Sequence, residues 1–581
     1  VISSLIQPGR HSPDDRFSAH PGGRVLRNSA AQQCGKRNDV GSGAAGLAID
    51  PPGGATGEPC VHRDWAACLP RMNTTPPAAV PRTWPALLPV LFFVPWVLAP
   101  PLNHDVAAVL SFSQRWLAGE RLYVDLIDVN PPLIYLLNLL PTWLARATGI
   151  DAVIVLQACL LAWGAAVWAL ALGLRDPAID GPVERLLLAV LPGLFVFSVG
   201  YDFGQRDPLM AASALPYVYA AARRARGEAP RGRIAAAVLA AVGFALKPYF
   251  LGIPALVELA VLVGCGPRRW LSDSVPWIMA ALWAVYLAAL PLAFPDYLSG
   301  VLPLVWSLYL TQTGLGPLDM LMIPQVGAAV LLLVPLLWPA LRPTARPGAA
   351  LPRLLALAAL GGLASAVAQR KGWSYHVAPL ELFTLALTVV LAARLLDSLQ
   401  AARRFAAAGL VALLGLAFVV WSAEANETPW NELTYGDSDA AGLTALLKRT
   451  AKGQRVLVLS PQVAPIFPAL NYAHATLALR TMNMWMVEGS YRSCPTDGRR
   501  YHDVGEMPAT EAFFFRAVAE DFARAPPAAV IVDRYPGIPD CNDVTFDYIT
   551  YFSRNPLFAE TWSHYRPVAE WGRFRLFTRA N

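Results

Sequence analysis

The sequence predicts an α-helical polytopic membrane protein of about eleven spans, followed by a small α/β domain on the outer side of the membrane. Three observations predict it. Over 581 residues, 55% are hydrophobic and only 15% charged, with a mean hydropathy of +0.40, whereas a soluble domain carries about 25% charged residues. Several apolar runs reach the roughly 17–25 residues that a helix needs to cross about 30 Å of hydrocarbon. Hydropathy then drops after Trp421, where short β-type and amphipathic patterns begin. The net charge of +6 comes from arginines between apolar runs, so it reports topology and argues against a nucleic-acid partner.

Residues 1–71 differ from the rest. They are rich in Gly, Pro, Arg and Ser and show no hydrophobic periodicity, a composition that builds no packed core. Cys34, Cys60 and Cys68 lie here at spacings that match no zinc pattern. The segment reads as upstream sequence, with translation beginning at Met72, or as a disordered cytoplasmic tail. A transmembrane domain is expected over 72–421 and an outer domain over 422–581. The first apolar run, 84–101, has no small-residue cleavage site and reads as an anchor.

The spans are expected near 84–101, 151–173, 184–200, 207–222, 233–247, 248–264, 273–293, 318–341, 354–368, 376–393 and 405–421. Arginines cluster in alternate connections: Arg223, Arg224, Arg226, Arg231 and Arg233; Arg268 and Arg269; Arg342, Arg346 and Arg353; Arg394, Arg403 and Arg404. The positive-inside rule makes these cytoplasmic. The other connections (102–150, 200–206, 246–249, 294–317 and 369–376) and the C-terminal tail then face outward. This alternation requires that 132–147, short and interrupted by Pro141, lie along the outer face without crossing. A bacterial inner membrane with a cytoplasmic N-terminus and a periplasmic C-terminal domain fits this pattern.

A charge at membrane depth costs about 2.5–3.5 kcal/mol on insertion scales, so charges retained at span ends tend to be functional. Asp105, Asp125, Asp128, Asp202, Arg206, Asp207, Lys247, Arg370, Lys371, Tyr375 and His376 all fall on the outer side. Each alone could snorkel to the interface; as a set they predict a shared outer-leaflet cleft. Lys247, Arg370 or Lys371 could neutralise a lipid phosphate, and a carboxylate could take a proton from an acceptor hydroxyl as a sugar transfers. Asp105 is expected both as general base and as N-cap of the helix that follows it. Asp125 and Asp128 are expected to order the loop or contact the acceptor. A lone His376 is weak evidence for a metal; the residues require no cofactor, and a divalent ion stays open. Gly314-Leu-Gly316 and Gly361-Gly362 follow no strand and carry no nucleotide-binding meaning.

The run Asp105, Arg115, Gly119-Glu120, Tyr123-Val124-Asp125 and Pro131-Pro132-Leu133-Ile134-Tyr135 resembles the first external loop of GT-C membrane glycosyltransferases. It is most similar to the family of protein O-mannosyltransferases and lipid A aminoarabinose transferases. The resemblance, over about 84–421, implies a GT-C-like fold with juxtamembrane helices in that loop. It implies an inverting transferase that uses a polyprenyl-phosphate-linked sugar, with Asp105 at the position of the catalytic base. By the same resemblance, Asp202 or Asp207 matches a second active-site acid, and Lys247 and Lys371 to His376 match the lipid-phosphate region. Many relatives carry Asp-Glu where this chain has Asp105-Val106, and Lys where it has Asn130, which leaves donor sugar and phosphate details open.

In the C-terminal domain, 455–460 and 529–533 read as buried strands, 438–450 and 510–525 as amphipathic helices, and 566–579 as paired strands about a Trp-Gly turn. An oxidising compartment would permit a Cys494–Cys541 disulfide. The aromatic and Met-rich segment 467–491 reads as core or as a patch packed on the membrane domain, with acceptor binding as the sharper idea. A transporter or flippase of a lipid-linked sugar is the rival function. It should display ionisable or Gly/Pro-broken spans at mid-membrane, whereas here the polar residues gather at one face. A non-catalytic scaffold leaves that common sidedness unexplained.

Overall fold

The computed structural model describes residues 87–581 apart from 178, 180, 310–313, 345, 347, 400–427, 496–497, 543 and 581. The expectations for 1–71 and for a span at 405–421 lie outside the described residues. The helices of the membrane domain run in the order α1 (Leu87–Leu98), α2 (His104–Leu117), α3 (Leu133–Thr148), α4 (Ala152–Leu174), α5 (Pro182–Phe197), α6 (Arg206–Arg224), α7 (Arg233–Ala245) and α8 (Gly252–Cys265). They continue with α9 (Pro267–Ser272), α10 (Ser274–Ala293), α11 (Leu302–Leu304), α12 (Pro317–Met322), α13 (Pro324–Leu341), α14 (Ala350–Gln369) and α15 (Ser374–Ser398).

Six segments are long and apolar enough to cross a membrane: 152–174, 248–265, 274–293, 324–341, 350–369 and 374–398. The other expected spans that the structure describes are shorter or more charged. The described part of α1 has 12 residues, α5 has 16 and α7 has 13; α6 has 19 but carries Arg206, Asp207, Arg223 and Arg224. At about 1.5 Å per residue, α7 covers roughly 20 Å. The expected span 318–341 is broken at Pro324. Proline pushes the residue before it toward extended backbone, and Ile323 has ψ 125°. The segment 132–147 becomes α3, 16 residues packed against α2 and α4 and not among the six.

Helix α6 is the axis of the bundle. All its residues but Leu209 and Arg223 are buried, because its Ala-rich surface lets neighbours approach closely. The Gly361-Gly362 pair has a packing role of the same kind. A Cβ on Gly361 would lie 2.8 Å from Ile253 Cα of α8, and one on Gly362 would lie 2.8 Å from the Leu380 nitrogen of α15. By contrast, α10 and α13 leave Val285, Leu292, Leu331 and Trp338 exposed, an apolar surface suited to lipid.

The C-terminal domain is built on a five-stranded sheet, β1 (Arg455–Leu459), β2 (Thr476–Leu477), β3 (Ala529–Asp533), β4 (Tyr565–Trp571) and β5 (Phe574–Arg579), in the order β2-β1-β3-β5-β4. The first three strands are parallel, and the β4–β5 hairpin adds antiparallel to β3. Helices Asp439–Thr450 and Ala509–Arg524 match the expected amphipathic patterns. Strand β2 has only two residues, too few for alternation to register in the sequence. Cys494 and Cys541 form a disulfide across 47 residues. The 467–491 segment divides between core and docking surface. Phe467 and Leu470 are fully buried, while Tyr472 Oη accepts from the Leu102 nitrogen at 2.7 Å and Asn471 Nδ2 donates to the Ala107 carbonyl at 3.0 Å.

Candidate active site

The site begins where α2 starts. Asn103, not Asp105, is the N-cap: its Oδ1 accepts from the backbone nitrogens of Asp105 at 3.0 Å and Val106 at 3.4 Å. Asn serves this role as well as Asp, which corrects the expected capping role of Asp105 and leaves its carboxylate free to face the cleft. One Asp105 oxygen accepts from Gln205 Nε2 at 3.1 Å and lies 3.9 Å from the Arg206 guanidinium. The other lies 3.7 Å from His104 Nε2. The side chain is 24% exposed, so its carboxylate stays within reach of solvent. Burial alone would raise its pKa, but the charges of His104, Arg206 and Lys247 and the Gln205 hydrogen bond hold it below the ordinary carboxylate value.

The 200–206 turn brings the second layer of groups. Tyr201 Oη accepts from the His104 nitrogen at 3.2 Å and lies 2.9 Å from His104 Nδ1. Asp202 accepts from Asn103 Nδ2 at 3.2 Å and from Ser374 Oγ at 2.7 Å, tying α2 to the start of α15. Gly204 adopts φ +88°, and a Cβ there would lie 3.0 Å from Leu160, so the turn that aims Gln205 and Arg206 needs glycine at this point.

Behind this layer Asp207, fully buried, accepts from Lys247 Nζ at 2.6 Å and from Gln369 Nε2 at 3.1 Å. Lys247 Nζ also donates to Gln369 Oε1 at 2.8 Å and sits 5.1 Å from the Tyr375 ring. Lys247 is thus paired, not snorkelling. Arg206 is different: it is 7% exposed, its approach to Asp105 is longer than a hydrogen bond, and no acceptor among the described residues holds its guanidinium. His376 is 4% exposed, and its Nδ1 has no hydrogen-bond partner among the described residues. The ring packs on Trp373 and Tyr375 and lies within the electrostatic reach of Lys247, Arg206 and Lys371.

Three further candidate residues hold loop segments in place, as expected for Asp125 and Asp128 as loop-ordering residues. Asp125 binds its own turn through the Arg121 nitrogen at 3.0 Å and Arg121 Nε at 3.2 Å, apart from the carboxylates of the cleft. Asp128 is buried and accepts from Tyr135 Oη at 2.7 Å and the Asn130 nitrogen at 2.9 Å, so it orders the Pro-Pro loop while staying within electrostatic range of Arg206. Arg370, at φ 55°, donates to the carbonyls of Leu315 at 2.9 Å and Gly314 at 3.2 Å, and fastens the segment before α12. Lys371 Nζ donates to the Tyr309 carbonyl at 3.0 Å and lies 4.5 Å from that ring's centroid. Burial, aided by Arg492 and opposed by Glu488, pushes its pKa down to about 8.

Sequence reasoning missed Asn103, Tyr201, Gln205, Gln369 and Ser374. All are neutral, so a search for charges at span ends passes over them; the one available signal is that Gln205 and Gln369 each precede a charged pair in an otherwise apolar stretch. Among the described residues, no group of three or more His, Cys, Asp or Glu side chains could hold a metal ion.

The sequence matches no protein-family profile and no curated protein. Among solved structures, the chain is similar to ArnT from Cupriavidus metallidurans, in a crystal structure bound to undecaprenyl phosphate. The identity is 14% and the TM-score 0.48, over 86% of this chain and 98% of that one. The apo state of the same protein gives 14% identity and a TM-score of 0.48, over 85% and 97%. The arabinofuranosyltransferase AftD from Mycobacteria gives 15% identity and a TM-score of 0.42, over 86% of this chain and 40% of that one.

Proposed function

We propose that the protein is an inverting membrane glycosyltransferase that moves a sugar from a polyprenyl-phosphate donor to an extracytoplasmic acceptor. The acceptor is a glycan, lipid or protein, and Asp105 is the general base. The observation that carries this reading is the pairing of a partly exposed carboxylate, Asp105, with the Arg206 guanidinium 3.9 Å away, which makes no side-chain hydrogen bond among the described residues. The first-loop motif supports it independently.

In the proposed reaction the Asp105 carboxylate takes the proton of an acceptor hydroxyl as that oxygen attacks the anomeric carbon. The bond from that carbon to the phosphate oxygen breaks on the opposite face, so the configuration inverts. The polyprenyl phosphate leaves with the bonding electrons, and Arg206 and Lys371 stabilise its charge. His376, whose buried Nδ1 has no hydrogen-bond partner among the described residues, is assigned to the donor phosphate or sugar. Lys247, held by Asp207 and Gln369, contributes its field more than a direct contact.

The test is reconstitution of the full chain in proteoliposomes with polyprenyl-phosphate-linked labelled sugars and a cell-envelope acceptor fraction. The expected result is release of free polyprenyl phosphate together with label in the acceptor, at inverted anomeric configuration by NMR. Movement of intact labelled lipid across the bilayer, without cleavage, would instead establish the flippase reading.

A further inference from the structure

The outer domain contains a second cleft that the transfer chemistry does not use. It lies at the carboxyl end of β3, encloses about 650 Å³, and is lined by Arg500, Asp533, Arg534, Asp547, Glu570 and Arg575, with Phe546 on its wall. It is built from the end of β3, from β4 and β5, and from the segment before the helix Tyr548–Phe552. Ser460, just beyond β1, donates to Asp533 Oδ2 at 2.8 Å and ties that end of β3 to β1.

The charges lining it are unequally satisfied. Asp533 also accepts from Arg573 Nε at 2.7 Å, and Arg534 pairs with Glu570. Asp547 caps the helix Tyr548–Phe552 through the Thr550 nitrogen at 2.6 Å. Two guanidiniums are held loosely. Arg575, one-third exposed, pairs with Asp547 at 3.7 Å, and its buried Nε has no hydrogen-bond partner among the described residues. Arg500 donates to Tyr501 Oη at 3.5 Å and pairs with no carboxylate among the described residues. A buried donor without an acceptor is costly, and the planar fork of a guanidinium suits a carboxylate or phosphate. Beside it, Asp547 and Glu570 offer acceptors for hydroxyl groups, and the volume falls in the roughly 300–1,000 Å³ range of small-ligand sites.

We propose that this cleft binds a sugar bearing a carboxylate or phosphate group, with Arg575 and Arg500 on the anion and the flanking carboxylates on its hydroxyls. The assignment does not depend on the transferase reading of the membrane domain. The test is isothermal titration of the purified full chain in detergent with glucuronate, glucose 1-phosphate, glucose and inorganic phosphate. Saturable binding of either anionic sugar is expected, at least tenfold tighter than glucose or phosphate; whichever of the two binds identifies the anion. Arg575→Gln and Arg500→Gln should each weaken it at least tenfold, while Arg579→Gln, on β5 outside the cleft, should not. If Arg575→Gln fails to fold, the half-buried Arg500 carries the test alone. Failure of both anionic sugars to saturate, equal binding of glucose or phosphate, or unchanged binding in the Gln variants would overturn the proposal.

Discussion

Replacing Asp105 by Asn keeps the shape of the side chain and an oxygen for Gln205, so the neighbourhood of α2 survives while the proton acceptor is lost. We predict that kcat falls by about 10²–10⁴, the range for removal of a positioned general base, equivalent to about 3–5 kcal/mol of activation free energy. Donor binding should move the other way. A full negative charge 3.9 Å from the Arg206 guanidinium is worth about 4 kcal/mol at an effective dielectric of about 20. That figure is a ceiling, because Asp105 is 24% exposed and water screens part of the interaction. Removing the charge frees Arg206 for a phosphate, so the dissociation constant for polyprenyl phosphate should fall or hold steady. The assay is single-turnover sugar transfer alongside equilibrium binding of polyprenyl phosphate to the full chain in detergent. Unchanged kcat, or a loss of activity that comes entirely from weaker donor binding, would refute the assignment of Asp105 as base.

Other perturbations separate the remaining roles. Arg206→Gln should weaken polyprenyl phosphate binding at least tenfold while the folded protein, which loses only the 3.9 Å ion pair to Asp105, remains intact by thermal unfolding; unchanged binding would remove it from the donor site. Lys247→Met takes from the fully buried Asp207 its ion-pair partner and leaves Gln369 as its hydrogen-bond donor. Breaking such a pair costs about 3–5 kcal/mol, so the melting temperature should drop, and adding Asp207→Leu should restore most of it; no recovery in the double variant contradicts a mutual pair. Donor affinity should decline as pH rises through about 8, where Lys371 loses its proton, and Lys371→Arg should hold affinity through that window in a pH series of KM. At the acid end, the depressed Asp105 pKa keeps the base ionised down to its ordinary value and below. An activity loss centred on pH 5–6 would therefore belong to another group. Replacing Cys494 and Cys541 by Ser opens a 47-residue loop, and loop entropy gives a loss of about 4 kcal/mol, measurable by denaturant unfolding against the intact protein.

The charged members of the site were legible in the sequence because charge is expensive in a bilayer. Asp105, Asp202, Arg206, Lys247 and His376 stand at the ends of apolar runs, and the structure brings them near one another. What sequence patterns do not carry is partnership. Asp105 and Asn103 are equally good caps two residues apart, and only the fold decides that Asn103 takes the nitrogens. Lys247 and Arg206 look alike as cations at span ends, yet one is hydrogen-bonded to Asp207 and Gln369 while the other only approaches Asp105 and makes no side-chain hydrogen bond among the described residues. Arg370 and Lys371 are adjacent, but Arg370 at φ 55° turns its guanidinium to the backbone at Gly314 and Leu315. The break at Pro324 and the two-residue strand β2 escaped for a related reason. A hydropathy window averages across a kink, and two residues give no period.

The outer domain bears on the chemistry through α2. Arg115, at the last turn of that helix, makes a two-point pair with Glu120, at 2.9 Å and 2.6 Å, and donates to the Leu479 carbonyl at 2.7 Å. Ile127 donates to the Arg480 carbonyl at 2.6 Å, and Asn471 and Tyr472 hold the first half of the helix. These contacts fix both ends of a 14-residue element whose first turn carries the candidate base. A displacement of 1 Å at a reacting group can cost about 10²-fold in rate. A base mounted on α2 therefore needs a rigid support at both ends of the helix. The docked sheet supplies it at the far end, where Arg115 binds the Leu479 carbonyl.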